Sequence, residues 1–389
     1  MMLFLLLLVG VSYGLDLMGA IERALSFYPS LKALEEERRG IEGKSLLYKS
    51  YLNPTLSVEM GNFGTSKGGI RSNPVYRLSY SQPILIYPLG SFVKEAVRYE
   101  SSAFEERIAQ ERNSLKGEVY LAFYSALYRK DLLSIAQENY QISYDVYSFV
   151  KKLFDLGEVT KLELFRAERE LDLAKTELEL ARSDYQNALK KLSLFVGEEV
   201  KEAEGSLEHL RDMKVIKVED LPQIRQYNYL IKSVKTSIEV ERTLAKPQLS
   251  TEVLGEKVSA SEYGFRIGFS ATLPVFYRRE GEVLQLSSYA RSLERLRDLE
   301  RMKAESEYHR LFQRYQAIKD EVRKINDELL TRSREELSLA IKSYRLRTIT
   351  ALELSDTKRR YIQLLRYRSD LLMQAHEEYA KYLSLGGEL

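Results

Sequence analysis

Apolar and polar positions alternate with period two in four places along this 389-residue chain. First, Leu56, Val58 and Met60 alternate with Thr55, Ser57 and Glu59. Next, Tyr76, Leu78 and Tyr80 alternate with Arg77, Ser79 and Ser81. Much later, Leu249, Thr251 and Val253 alternate with Ser250 and Glu252, with Leu254 out of step. The fourth run is the clearest: Tyr263, Phe265, Ile267, Phe269 and Ala271 point one way, and Gly264, Arg266, Gly268, Ser270 and Thr272 the other. This spacing predicts strands with one apolar and one polar face. Gly/Ser/Asn-rich segments, 61–74 and 255–262, join the strands of each pair.

Elsewhere the period is helical. Leu17, Ala20, Ile21, Ala24 and Leu25 predict a helix within 16–50, ahead of the first strand pair. Ile224, Tyr227, Leu230, Ile231, Val234 and Ile238 predict its counterpart within 221–245, ahead of the second. Pro54 and Pro247 end these helices and open the strands, and Pro83 and Pro274 close the strand pairs. Residues 89–154 then contain no proline and only Gly90 and Gly117, which predicts a helix about 100 Å long at ~1.5 Å per residue. Residues 281–345 predict another.

Each long helix turns and a second one returns. The first returning helix carries Leu164, Ala167, Leu171, Ala174, Leu178, Ala181, Tyr185, Ala188, Leu192 and Phe195 at spacings of 3 and 4. Its descending partner carries Leu133, Ala136, Tyr140, Ser143, Tyr147, Val150 and Phe154. A 3.5-residue period predicts coiled-coil packing. In the second hairpin Arg368 and Glu378 interrupt the seam, which predicts a less regular neighbour.

These elements occur twice. Leu156 to Leu164 is answered by Leu346 to Leu354, Gln82-Pro83-Ile84-Leu85 by Leu273-Pro274-Val275-Phe276, Leu192-Ser193-Leu194 by Leu383-Ser384-Leu385, and Pro54-Thr55-Leu56-Ser57 by Pro247-Gln248-Leu249-Ser250. The offset stays at 190–193 residues, as a duplicated unit requires. The expected organisation is a first repeat over 15–196, a linker over 197–220 and a second repeat over 221–389. The linker is charged, with few apolar residues, and is expected to pack on the outside of the helices.

Strands of ~9–11 residues are long enough to cross a bilayer in a tilted barrel. Their polar faces are rich in Ser, Thr, Gly, Arg and Glu, as a wet lumen needs. Four strands cannot close a barrel, and unpaired strand edges are forbidden in lipid. A barrel therefore demands several copies: two give eight strands and three give twelve.

Composition narrows the function. The run Met1–Gly10 is too short to span a bilayer, and Ser12-Tyr13-Gly14 offers small residues at two positions, so residues 1–14 are expected to be a secretory signal cleaved after Gly14. There are no cysteines, which excludes disulfides, thiolate metal sites and an N-terminal lipid anchor. Charges balance at 59 basic and 57 acidic residues, without the footprint of a nucleic-acid binder. His209, His309 and His376 lie far apart, mostly amid charges, with no metal-ligand spacing. No catalytic constellation, metal site or cofactor is expected.

Strand pair, long helical hairpin, linker and the same unit again resemble the TolC family of outer-membrane efflux channels. The local patterns are Ala20-Ile21-Glu22-Arg23-Ala24-Leu25 followed by Tyr28-Pro29-Ser30-Leu31, the Pro83 and Pro274 junctions, Phe154 to Leu164, and Tyr344 to Leu354. The resemblance implies a mainly α fold with a membrane β-barrel portion, made by a homotrimer. Twelve strands would line the outer membrane of a Gram-negative-type bacterium, and twelve helices would form a periplasmic tunnel. It also implies a periplasmic adaptor and an inner-membrane pump as partners, and a conduit in place of an enzyme. The adaptor-contacting turns would be Leu156, Gly157, Glu158 and Val159, and Leu346, Thr348 and Ile349. The periplasmic gate would use Tyr344, with Glu353 and Asp356 as acidic rings, and Arg347 departs from the glycine of the first turn. The rival reading is a periplasmic coiled-coil adaptor or scaffold of a transport complex.

Overall fold

A computed structural model describes residues 14–44, 46, 53–61, 65–66, 69–70, 75–84, 86–257 and 262–389. The signal segment, the end of the first helical stretch and most of both strand-joining segments lie outside the described residues.

The first helical stretch is two helices, α1 (Leu17–Phe27) and α2 (Pro29–Lys44). Asp16 caps α1 through the Gly19 N–H, and Tyr28 is extended before the proline. Then come β1 (Thr55–Gly61), the short strands β2 (Thr65–Ser66) and β3 (Gly69–Ile70), and β4 (Val75–Ile84). The first hairpin is α3 (Leu89–Asp155) and α4 (Lys161–Val196). The second half runs α5 (Pro222–Leu244), β5 (Gln248–Lys257), β6 (Tyr263–Thr272), α6 (Glu280–Lys324), α7 (Leu330–Arg345) and α8 (Ala351–Leu385).

Two compact units cut across these halves, because the long helices thread both. One unit takes residues 1–32, 110–218 and 303–389; the other takes 33–109 and 219–302. The second holds the sheet, with Val93 and Val97 of α3 packed on Ile41 of α2 and Val240 of α5.

The first unit holds the main core, and here the linker departs from expectation. Val200, Ala203, Leu207 and Met213 are buried in that core. Leu15 forms a parallel bridge with Ala203, donating to Glu202 O and accepting from Glu204 N–H. Tyrosine hydroxyls fasten the segment further: Tyr315 donates to Arg211 O, and Tyr382 accepts from Lys214 N–H. Charged residues dominate its composition, but its few apolar ones sit at the contact points, so it is core as much as wrapping.

The interruptions of the second seam also have partners. Residues Ile325–Leu329 form a π turn, so the helix expected over 281–345 is α6 and α7 on either side of it. Such a turn inserts an extra residue and re-aims the following face. Arg368 donates through Nε to Asn326 Oδ1 in that turn (2.6 Å) and also bonds Glu208. Glu378 is buried and meets Arg310, Arg314 and Lys381. These charges are buried because each has opposite charge or an amide at hand.

His376 does not lie amid charges. It is fully buried, with Tyr124 stacked on it at 3.5 Å between centroids. Its Nε2 is 2.8 Å from Leu207 O, which only accepts, so Nε2 carries the proton. Nδ1 then accepts from the Tyr120 hydroxyl at 2.9 Å. Burial is the main cause holding this imidazole neutral, down to a pKa of about 4 from 6.5. The unfolded chain therefore binds the proton first as pH falls. The stability held above pH 6.5 is lost progressively as pH approaches 4, by about 3 kcal/mol at 1.36 kcal/mol per unit. His376→Gln should flatten that acid limb when unfolding midpoints of detergent-solubilised protein are compared across this range.

Candidate functional site

The sheet is antiparallel with order β1-β4-β5-β6. Its register puts like faces together: Val58 lies opposite Leu78, Tyr80 opposite Val253, and Val253 opposite Ile267. One face is therefore mainly apolar, from Leu56, Val58 and Met60 to Phe265, Ile267 and Phe269, with Gln82, Thr251 and Lys257 the polar members. These side chains are exposed, with Phe269 and Tyr263 at 79%. Nothing among the described residues covers them. The out-of-step Leu254 faces the polar side, opposite Arg266 and Ser79.

β4 has ten residues, with Tyr76, Leu78, Tyr80 and Ile84 on the apolar face. Ten residues at ~3.3 Å each, tilted by roughly 45°, rise about 23 Å, close to the apolar band of a membrane barrel. Tyr76 and Tyr263 mark one end of this face, and Tyr87, Phe276 and Tyr277 lie at the other. Aromatic residues at both margins are the girdles such barrels carry. Among the described residues no helix is long and apolar enough to cross a membrane.

The opposite face is polar and internally paired. Arg77 donates to Glu59 at 2.8 Å and to Glu256 at 3.4 Å, and Arg266 pairs with the other oxygen of Glu256. A single row of alternating charge thus crosses all four strands. Glu256 is only 8% exposed, and arginines on both sides offset its desolvation. Gly264 lies directly opposite Glu256 and leaves room for the Arg266 side chain beside it.

The second candidate region is the pair of hairpin turns in the first unit. Gly157 takes φ +74°, with Glu158 N–H donating to Leu153 O (2.8 Å) and Gly157 N–H to Phe154 O (2.9 Å). This is a Schellman end, which wants a left-handed residue. Arg347 takes φ +63° in the same arrangement, with Thr348 N–H donating to Ser343 O. A non-glycine there carries strain. Its guanidinium pairs with Glu158, so the two turns, 189 residues apart, are linked.

Thr160 and Thr350 cap the returning helices, each with a reciprocal glutamate three residues on. Glu353 is that glutamate in the second hairpin. It accepts from Thr350 N–H at 2.7 Å, and this bond holds its carboxyl below the usual range. Asp356 pairs with Arg359 and Arg360, and the Arg359 bond likewise keeps it ionised. Tyr344 packs edge-on against Phe149, 5.9 Å between centroids, and burial pushes its phenol up. Leu156, Leu346 and Leu352 are exposed apolar residues at the turns. The structure thus joins Arg347 to the first turn, whereas Tyr344, Glu353 and Asp356 each have partners close in sequence or on α3.

Sequence reasoning missed the cluster beneath the turns. Lys358, 9% exposed, donates to Glu170 at 2.9 Å and Ser143 at 3.1 Å, while Ser355 donates to the other Glu170 oxygen. Burial works against ionised Glu170, but the Ser355 and Lys358 bonds outweigh it and hold its pKa low. Ser143, a polar residue in an apolar seam, was the available signal. Among the described residues no acidic, histidine or cysteine group could hold a metal ion.

Residues 20–198 match the family model described as outer membrane efflux protein. That match covers 179 of the 389 residues, a little under half of the chain. Its place is the outer membrane. It is 24% identical over 208 residues to the alkaline protease secretion protein AprF of Pseudomonas aeruginosa, a match spanning 50% of this chain and 43% of that protein. The fold matches a solved structure of CusC with a TM-score of 0.80 at 18% identity, covering 97% of this chain and 94% of that one. It also matches the open-state MtrE outer membrane channel of Neisseria gonorrhoeae, with a TM-score of 0.75 at 18% identity over 95% and 89%.

An outer-membrane sheet with these faces should treat charge asymmetrically. Ile267→Lys should lower folding into vesicles by about 2–4 kcal/mol, whereas Ser270→Lys on the polar face should cost less than about 1. Urea titrations followed by the heat-modifiable band on gels would check both.

Proposed function

We propose that three copies assemble into a twelve-stranded barrel and an α-helical tunnel, forming the outer-membrane exit duct of a tripartite efflux or type I secretion system. The observation that carries this reading is the sheet: four strands, an exposed apolar face of bilayer height, and edges β1 and β6 with one partner each. An even strand number makes β6 antiparallel to β1 of the next copy, so identical subunits can close the ring. Similarity to the outer membrane efflux proteins favours three copies over two. The paired turns at Leu156–Val159 and Leu346–Ile349 are the contact for a periplasmic adaptor, which an inner-membrane pump feeds. Their exposed leucines, with Arg347 and Glu158 locked together, give a preformed surface.

Tyr344, Glu353, Asp356 and Arg347 constitute the periplasmic gate in this reading. Glu353 and Asp356 are three apart on α8 and ionised, so a trimer would carry two anionic rings about one helical turn apart. Glu353→Ala combined with Asp356→Ala should weaken block of single-channel current by trivalent cations in a planar bilayer; undiminished block would remove these residues from the gate.

The assembly has a direct test, since the chain has no native cysteine. Within one chain β1 and β6 are three strand spacings apart, roughly 14 Å, beyond disulfide reach. Ser57→Cys combined in turn with Arg266→Cys, Gly268→Cys or Ser270→Cys should give, in one register, an oxidised ladder ending at trimer. A ladder ending at dimer, or monomer throughout, would overturn the twelve-stranded reading.

A further inference from the structure

The apolar face does not end with the strands. Ile84 pairs with Leu249 in the last register step of β4 and β5, and Ile86, just beyond the strand, is exposed. At that level Pro83, Ile84, Ile86, Tyr87 and Leu249 line a pocket of about 120 Å³. An apolar cavity of similar size accepts a benzene ring, so this one has room for a short stretch of hydrocarbon. Gln248 also lines it. Beside it, Lys246 holds its ammonium 4.8 Å from the centre of the ring of the lining residue Tyr87, a cation–π arrangement.

We infer that this pocket is a binding site for a glycerophospholipid of the periplasmic leaflet, with an acyl chain in the groove and the phosphodiester against Lys246. The inference rests on the sheet being the membrane-spanning part. Two independent features select this occupant. The groove is lined in part by Ile84 and Leu249 of the apolar face, so a chain lying on that face reaches it directly. The cation sits at the aromatic girdle, where hydrocarbon gives way to head groups and where a lysine attracts an anionic lipid. Tyr87 holds the ammonium in place, so little side-chain freedom is lost on binding. A tightly held phospholipid collar would fix the depth of the barrel at this leaflet.

Native mass spectrometry of the detergent-extracted protein tests this, because one spectrum reports both subunit number and bound lipid. Dioleoyl phosphatidylglycerol is the probe, and dioleoylglycerol, with the same chains and no phosphate, is the control. Wild type and Lys246→Arg should retain one phosphatidylglycerol per subunit and little dioleoylglycerol. Lys246→Glu should reduce phosphatidylglycerol retention about tenfold or more, with the oligomeric mass unchanged. Equal retention by Lys246→Glu, or dioleoylglycerol held as well as phosphatidylglycerol, would overturn the site. Loss of the oligomer would show separately in the protein mass, so failed assembly is told apart from a failed lipid site.

Discussion

A peptide N–H or C=O left without a partner in hydrocarbon costs several kcal/mol, and no water is there to relieve it. That constraint governs this chain. β4 and β5 are satisfied on both sides, but β1 and β6 each leave one edge open. The same strands expose an apolar face that would be an aggregation hazard in water. Lipid accommodates the face, and only another strand accommodates the edges. A sheet of four such strands is thus never a complete wall by itself.

The polar face obeys the complementary rule. Charges there are arranged as a row, Glu59, Arg77, Glu256 and Arg266, in which each inner member has opposite charge beside it. Such a row can line a wet lumen without leaving a desolvated charge unpaired. The helical unit applies the same logic inside protein. Arg368, Glu378 and Lys358 are buried because Asn326, Arg310 and Glu170 meet them. His376 is buried because it is neutral and uses both ring nitrogens.

The linker shows how few residues can anchor a segment. Ala203, Leu207 and Met213 enter the core, and its main-chain groups are taken up by tyrosine hydroxyls and by Leu15. Backbone bonds of this sort do not depend on the linker's own side chains. They are therefore invisible in its charged composition. The tip has a similar surprise, since Arg347 occupies a left-handed position that glycine holds in the first turn, and uses its side chain to reach Glu158.

Periodicity alone determined the strands, their apolar and polar faces, the long helices and the duplication, because burial face and element type are written in spacings of two and 3.5 residues. The proline junctions were legible for the same local reason. Tertiary structure alone decided strand order, the meeting of Arg77 with Glu256, the π turn opposite Arg368, and the burial of His376 and Lys358. A charge in a sequence looks solvated until its partner is known. Those partners lie up to 256 residues away, as with Tyr120 and His376, and only the folded chain brings them together.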